Sequence, residues 1–281
     1  MQVVTDPLAL QADCLARRRR GERIGFVPTM GYLHRGHTSL MELARPRCDH
    51  LVVSIYVNPL QFGAGEDLDR YPRDPEGDRA ACERAGVDCL FMPTDLYPPG
   101  HSTRVRVEGL TAGLCGASRP THFEGVTTVV ARLFGLVQPD VAVFGEKDYQ
   151  QLAVIRRMVR DLAMPIEILG GPLIRDDDGV ALSSRNAYLD EDQRRRARSI
   201  SRALAWLADA VAGGEVDVAT LLARARARLD VDRIDYLEIV DPDELQPLAR
   251  ISGPARALAA AWLGRTRLID NVALVPPSAH R

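Results

Sequence analysis

The chain has 281 residues, 46% of them hydrophobic and 26% charged, with 36 basic against 38 acidic side chains and a formal net charge of -2. This composition excludes a disordered or fibrous chain, and it removes the broad positive field that a nucleic-acid or membrane-surface partner requires. The length suits more than one domain, the 5 cysteines contain no C-x-x-C pair and indicate neither a disulfide framework nor a thiolate zinc site, and no apolar run approaches the roughly 20 residues that span a bilayer, so a reducing cytoplasm is the expected compartment.

The basic runs Arg17 to Arg20 and Arg194 to Arg196 both lie in sequence that reads as amphipathic helix, so solvated faces are expected. Ile24 to Val27 is strand-like, His37 to Ala44 helical, Leu51 to Val57 strand-like, Asp78 to Ala85 helical and Val87 to Met92 strand-like. "FEGVTTVVARLFGLV" places Val126, Val129, Val130, Leu133, Phe134 and Val137 on one helical face, and "VAVFG" follows the turn Gln138-Pro139-Asp140. A helix through Leu152, Ile155, Met158 and Val159 leads to "PIEILGGPLI". The alternation predicts right-handed βαβ units, hence an α/β fold: a Rossmann-like parallel sheet with helices on both faces over residues 1–175. Beyond Asp176-Asp177-Asp178-Gly179 the pattern changes. Two arginine- and alanine-rich helices, about Glu191 to Val211 and Val218 to Leu229, precede the strand-like "IDYLEIV" and "LIDNVAL". "ARALAAAWLG" is ambiguous between helix and short strand. A smaller α+β domain is expected over 176–281.

In an open parallel sheet, ligands bind beyond the carboxyl ends of the strands. "PTMGYLHRGH", residues 28–37, follows the first strand and opens a helix, so His34 and His37 stand at a positive helix end beside unpaired backbone N–H groups, where an anion is expected. Two hydrogen-bond-donating imidazoles suit charge growing on phosphate oxygens, and Gly31 and Gly36 allow close approach. Spacing alone leaves open a zinc pair or mere helix capping. "FGEKDYQQ", residues 144–151, offers Lys147 for a polyphosphate and Asp148 for ribose hydroxyls, or else a surface pair of Glu146 and Lys147. In "DDDGVALSSRNAYL" a tight turn precedes Ser183, Ser184, Arg185 and Asn186, a set able to wrap phosphates; a hairpin and N-cap account for all but the arginine. "YVNPLQF" presents Asn58 and Gln61, uncharged groups fit for a small hydroxylated substrate. The neighbouring Glu66, Asp67 and Asp69 read as a solvated loop rather than a magnesium site. The P-loop, G-x-G-x-x-G and G-x-S-x-G signatures are all missing, which disfavours P-loop kinases, ordinary NAD enzymes and serine hydrolases.

The H-x-G-H spacing after a first strand, with a later Ser/Arg-rich loop, resembles the nucleotidylyltransferase superfamily. Within it, "FVPTMGYLHRGH", "SIYVNPLQF", "DLDRYPRD", "HFEGVTTVVARLF", "FGEKDYQQL", "ALSSRNAYL", "YLEIVD" and "RLIDN" resemble, in order and over nearly the whole chain, the pantothenate synthetase (pantoate–β-alanine ligase) family. The resemblance implies an ATP-dependent ligation through a pantoyl adenylate, with ATP as its Mg²⁺ complex, pantoate and β-alanine as partners, no tightly bound organic cofactor, a homodimer and a C-terminal lid. By matching position, His34, His37, Lys147, Ser183 and Arg185 are the implied catalytic residues. Pro28, Met30, Gly36, Gly145, Asp148, Leu182 and Ser184 join His37, Lys147, Ser183 and Arg185 around ATP, and Asn58, Gln61, Gln151 and Met30 surround pantoate. Arg119 matches without an assigned role, Tyr32 and Leu182 depart from the Ala and Met of many relatives, and any protein ligand to Mg²⁺ is left unassigned. A nucleotidyltransferase acting on a phosphorylated acceptor would need a cationic acceptor site, whereas the segment 56–61 itself offers Asn58 and Gln61 without a positive charge; a non-catalytic nucleotide sensor would release no pyrophosphate.

Overall fold

The computed structural model describes residues 1–277. Six strands, β1 (Gln2–Val4), β2 (Ile24–Thr29), β3 (His50–Ile55), β4 (Cys89–Phe91), β5 (Val141–Gly145) and β6 (Glu167–Gly171), form one sheet in the order β1-β4-β3-β2-β5-β6. Every pairing in it is parallel. The helices between them are α1 (Pro7–Arg19), α2 (Arg35–Ala44), α3 (Pro75–Arg84), the short α4 (Leu114–Ser118), α5 (His122–Val137) and α6 (Tyr149–Asp161).

Alternation along the buried strands divides the core between the two faces of the sheet. Phe26, Val52, Phe91, Ala142 and Phe144 pack with α1, α5 and α6. Val27, Leu51, Val53, Leu90 and Val143 pack with residues of α2 and α3. From β2 the chain steps outward through β3 to β4, then returns to lay β5 on the other side of β2. The strand order therefore reverses between β2 and β5, and the crevice at their carboxyl ends is where an open sheet of this kind binds its ligand.

The C-terminal part contains α7 (Glu191–Ala212), α8 (Val218–Arg226) and an antiparallel sheet, β7 (Arg233–Val240), β8 (Ala255–Leu263) and β9 (Thr266–Leu274), in the order β7-β8-β9. "ARALAAAWL" resolves as the central strand β8. Ala257, Ala259 and Ala261 face α7 and α8, whereas Leu258 and Ala260 join the core of the first sheet. A strand sandwiched on both faces favours small side chains, and that packing overrides alanine's helical preference. Strand β1 carries no sequence signal, being only 3 residues long and defined by its pairing with the distant β4.

Candidate active site

A cavity of about 220 Å³ opens at the reversal point between β2 and β5. Its lining includes every site residue that the resemblance implied: Pro28, Met30, His34, Gly36 and His37 from the β2–α2 turn, and Asn58 and Gln61 after β3. Gly145, Lys147, Asp148 and Gln151 come from the end of β5, and Leu182, Ser183, Ser184 and Arg185 from the loop before α7; Arg119 lines it as well.

The two histidines are bound to one another's helix turn. His34 is the N-cap of α2 and its Nδ1 accepts the Gly36 N–H at 3.1 Å, while His37 Nδ1 accepts the His34 N–H at 3.3 Å. The imidazoles thus take up two N–H groups at this helix end, those of His34 and Gly36, which corrects in part the expectation of unpaired backbone N–H groups beside them. A backbone N–H only donates, so both Nδ1 atoms are acceptors and each neutral ring carries its proton on Nε2. Burial, reinforced by Lys147, lowers His34 to about 4; burial, the neighbouring His34 and Lys147 lower His37 to about 3. At neutral pH the pair presents two uncharged Nε2–H donors. The glycine between them is required, because a Cβ at Gly36 would stand 2.9 Å from His34 Cε1.

The turn leading to these histidines is held by a residue the sequence did not reveal. Gly31 (φ 84°) and Tyr32 (φ 53°) are both left-handed, and the buried Asp78 carboxylate accepts the N–H groups of Tyr32 at 2.9 Å and Leu33 at 2.6 Å. Tyrosine in this conformation is strained, and the two charge-assisted bonds offset the strain.

Asn58 reaches the cavity wall with its amide already committed. It donates to Gln61 Oε1 and to the Gly125 carbonyl, and accepts from Tyr97 Oη at 2.8 Å. Gln61 is thereby oriented with its Nε2 toward Met30 Sδ, 3.1 Å away. Beyond them, Val126, Val129, Val130 and Leu133 of α5 make an apolar wall, a role hidden in the sequence because the same residues read as ordinary helix core.

Within the acidic stretch after β3, Asp69 is exposed as expected from its charge, but Glu66 and Asp67 are not solvated. Glu66 pairs with Arg119 (2.5 Å), and Asp67 engages Arg185 through both Nε and Nη2 at 2.9 Å. Burial raises both carboxyls, but the arginines outweigh it and hold them below their ordinary values. Only the fold brings these loops together across more than 50 residues. The site therefore contains three cations, Lys147, Arg119 and Arg185, each close to a carboxylate. Among the described residues no group of three or more His, Cys, Asp or Glu side chains is arranged to hold a metal ion.

Lys147 rides on a single helical turn, Glu146–Asp148, that the C-terminal sheet clamps. Asn271 of β9 donates to the carbonyls of Glu146 and Lys147, both at 2.9 Å, and Arg256 of β8 fixes the other end of the amide by donating to Asn271 Oδ1. Burial raises Asp148, but Lys147 and Arg185 more than reverse this and keep it ionised.

A family model for pantoate-beta-alanine ligase matches residues 2–273. The chain belongs to the pantoate–β-alanine ligase family. A pantothenate synthetase of Anaeromyxobacter dehalogenans is 57% identical over 281 residues, covering 96% of this chain and 97% of that protein. The crystal structure of pantothenate synthetase from Thermus thermophilus superposes with a TM-score of 0.93 at 50% identity, covering 98% of this chain and 100% of that one. The pantoate-beta-alanine ligase of Francisella tularensis, solved in complex with beta-gamma ATP and beta-alanine, superposes with a TM-score of 0.78 at 32% identity over 97% of each chain. Six-stranded parallel sheet and three-stranded antiparallel sheet are thus the architecture of the pantoate–β-alanine ligases.

Proposed function

We propose that this chain joins pantoate to β-alanine at the expense of ATP, releasing AMP and pyrophosphate through an enzyme-bound pantoyl adenylate. The observation that carries the reading is the pair of Nε2–H donors of His34 and His37 beside Lys147, at the reversal point of a parallel sheet. In the first step pantoate's carboxylate oxygen attacks the α-phosphorus and the bond to pyrophosphate breaks. Negative charge grows on the non-bridging oxygens, and neutral donors held rigidly by a helix cap stabilise it without reorganising. In the second step β-alanine's amine replaces AMP at the acyl carbon. No protein nucleophile is involved; positioning and charge neutralisation carry the acceleration.

In this reading Lys147, Ser183, Ser184 and Arg185 hold the phosphates, and Pro28, Met30, Gly36, Gly145, Asp148 and Leu182 surround the nucleoside and α-phosphate. Gln61 and Gln151 bind pantoate's polar groups, Asn58 acts through Gln61, and Val126, Val129 and Val130 accommodate its paired methyl groups. Arg119 braces the site, since its guanidinium is bound to Glu66 and to the Gln61 carbonyl. Magnesium enters with ATP as part of the substrate, because the carboxylates nearest the phosphate-holding residues are occupied by arginine or lysine. Residues 176–281 act as a lid over ATP, a reading supported by the Ser184 hydroxyl against the Tyr32 carbonyl at 3.4 Å. A homodimer in the cytoplasm completes it; all 5 cysteines are free thiols and no described helix is long and apolar enough to cross a membrane.

With ATP, Mg²⁺, pantoate and β-alanine, the purified protein should form AMP, pyrophosphate and pantothenate in equal amounts. Formation of ADP and phosphate would overturn the reading.

A further inference from the structure

A third imidazole faces the cavity in the opposite tautomeric state. His122, the first residue of α5, has its Nδ1 2.9 Å from the Gln61 carbonyl oxygen. A carbonyl only accepts, so Nδ1 bears the proton and Nε2 carries a bare lone pair. Among the described residues nothing donates to that Nε2, and it is not one of the buried polar atoms sealed away from a partner. His122 also lines a smaller cavity of about 60 Å³ that continues from the larger one toward β7 and β9, with Lys147, Gln151 and Ser183 common to both.

The remaining basic side chains here cannot accept. His34 and His37 present Nε2–H, and Lys147, Arg119 and Arg185 are donors only. A carboxylate in the place of His122 would favour the ammonium form of an amine, which has no lone pair with which to attack. A neutral acceptor tolerates the free amine.

We propose that His122 positions the amine of the second substrate, its Nε2 accepting one amine N–H so that the nitrogen lone pair points at the acyl carbon of the adenylate. This rests on the ligase reading above. The ammonium of β-alanine first releases a proton to water. The C–N bond then forms, the acyl C–O bond to AMP breaks with its electron pair passing to the phosphate oxygen, and the surplus proton on nitrogen leaves to water. Gln61, whose carbonyl fixes the ring, is the same residue assigned to pantoate, so ring and acyl group share one support.

The two half-reactions separate the outcomes. Pantoate-dependent exchange of labelled pyrophosphate into ATP reads the first; single-turnover consumption of pre-formed pantoyl adenylate by β-alanine reads the second. Absence of exchange in the wild-type protein would overturn the ligase reading itself. His122→Asn keeps a donor for the Gln61 carbonyl and removes the acceptor, so the second half-reaction should fall about 100-fold further than the first, the scale of a misplaced reacting group. His122→Gln, whose Oε1 reaches toward the place of Nε2, should recover about tenfold of that loss. Equal losses in both half-reactions, no loss in either, or no difference between Asn and Gln would each overturn the proposal; retained exchange shows that the variant is folded.

Discussion

The Nδ1 of His37 accepts the backbone N–H of His34 at 3.3 Å, so the imidazole that faces the ligand cavity is also part of the cap of its own helix. Structure and chemistry are inseparable at this pair. His34→Ala should cost about 1 kcal/mol of stability through the lost cap and lower adenylate formation by a barrier of about 3 kcal/mol through the lost donor. Chemical denaturation and pyrophosphate exchange measure the two effects, and unchanged exchange in both His34→Ala and His37→Ala would remove the rings from the mechanism.

The pH dependence follows from the same burial. His34, His37 and His122 lie at about 4, 3 and 4 in the folded protein, below the ordinary 6.5. As pH falls through 6.5 the unfolded chain takes up these protons and the folded one does not. Where the unfolded state binds more protons, stability rises with pH, so it is lost on acidification from about 6.5 down to about 4 for His34 and His122 and about 3 for His37. Calorimetry should show a Tm that falls across this window, with a shallower slope for His37→Asn. An identical slope in that variant would contradict the assignment.

Asp78 holds two consecutive backbone N–H groups of a left-handed turn. Asp78→Asn keeps one acceptor oxygen and turns an amide donor toward the other N–H, so a loss of about 1 to 3 kcal/mol is expected from the unsatisfied group. Activity should fall with it, because the turn carries His34. Urea denaturation would reveal the loss; a variant as stable as the wild type would show that the turn does not depend on the carboxylate.

Asn271 donates to both carbonyls of the turn that carries Lys147. Asn271→Asp replaces that donor by an oxygen facing two carbonyl oxygens. The expected result is a rise in the KM for ATP of about tenfold, one lost charge-positioning contact being worth about 1.4 kcal/mol, with the KM for pantoate changed far less. Equal changes in both constants would point to general loosening of the fold.

Asp67 occupies two donors of Arg185, the guanidinium expected on the phosphates. Asp67→Asn leaves that charge uncompensated toward the cavity. Inorganic pyrophosphate should bind about 5- to 10-fold more tightly, in line with removal of one partly exposed competing charge, while thermal stability falls. Titration calorimetry with pyrophosphate tests this, and weaker binding would mean that Asp67 orients the arginine for its ligand.

By itself the sequence determined the α/β alternation and the residues gathered at the cavity. Both are local properties: strand and helix period are written within a few residues, and a parallel sheet delivers whatever follows its strands to one edge. His34, His37, Asn58, Gln61, Lys147 and Arg185 all stand within a few residues of a strand end or a tight turn, so their convergence was legible before the fold was known.

Only the tertiary structure decided what those groups can do. Which nitrogen of each histidine bears the proton depends on a partner two, three or sixty-one residues away. Pairing of Asp67 with Arg185, of Asp78 with the Tyr32 turn and of Asn271 with the Lys147 turn spans 118, 46 and 124 residues, beyond any local pattern. The strand nature of "ARALAAAWL" was equally out of reach, because alanine's local preference is helical and the choice was made by neighbours on both faces of β8. Hydrogen-bond partners and burial are set by packing between distant segments, and they determine whether an imidazole donates, accepts or carries charge.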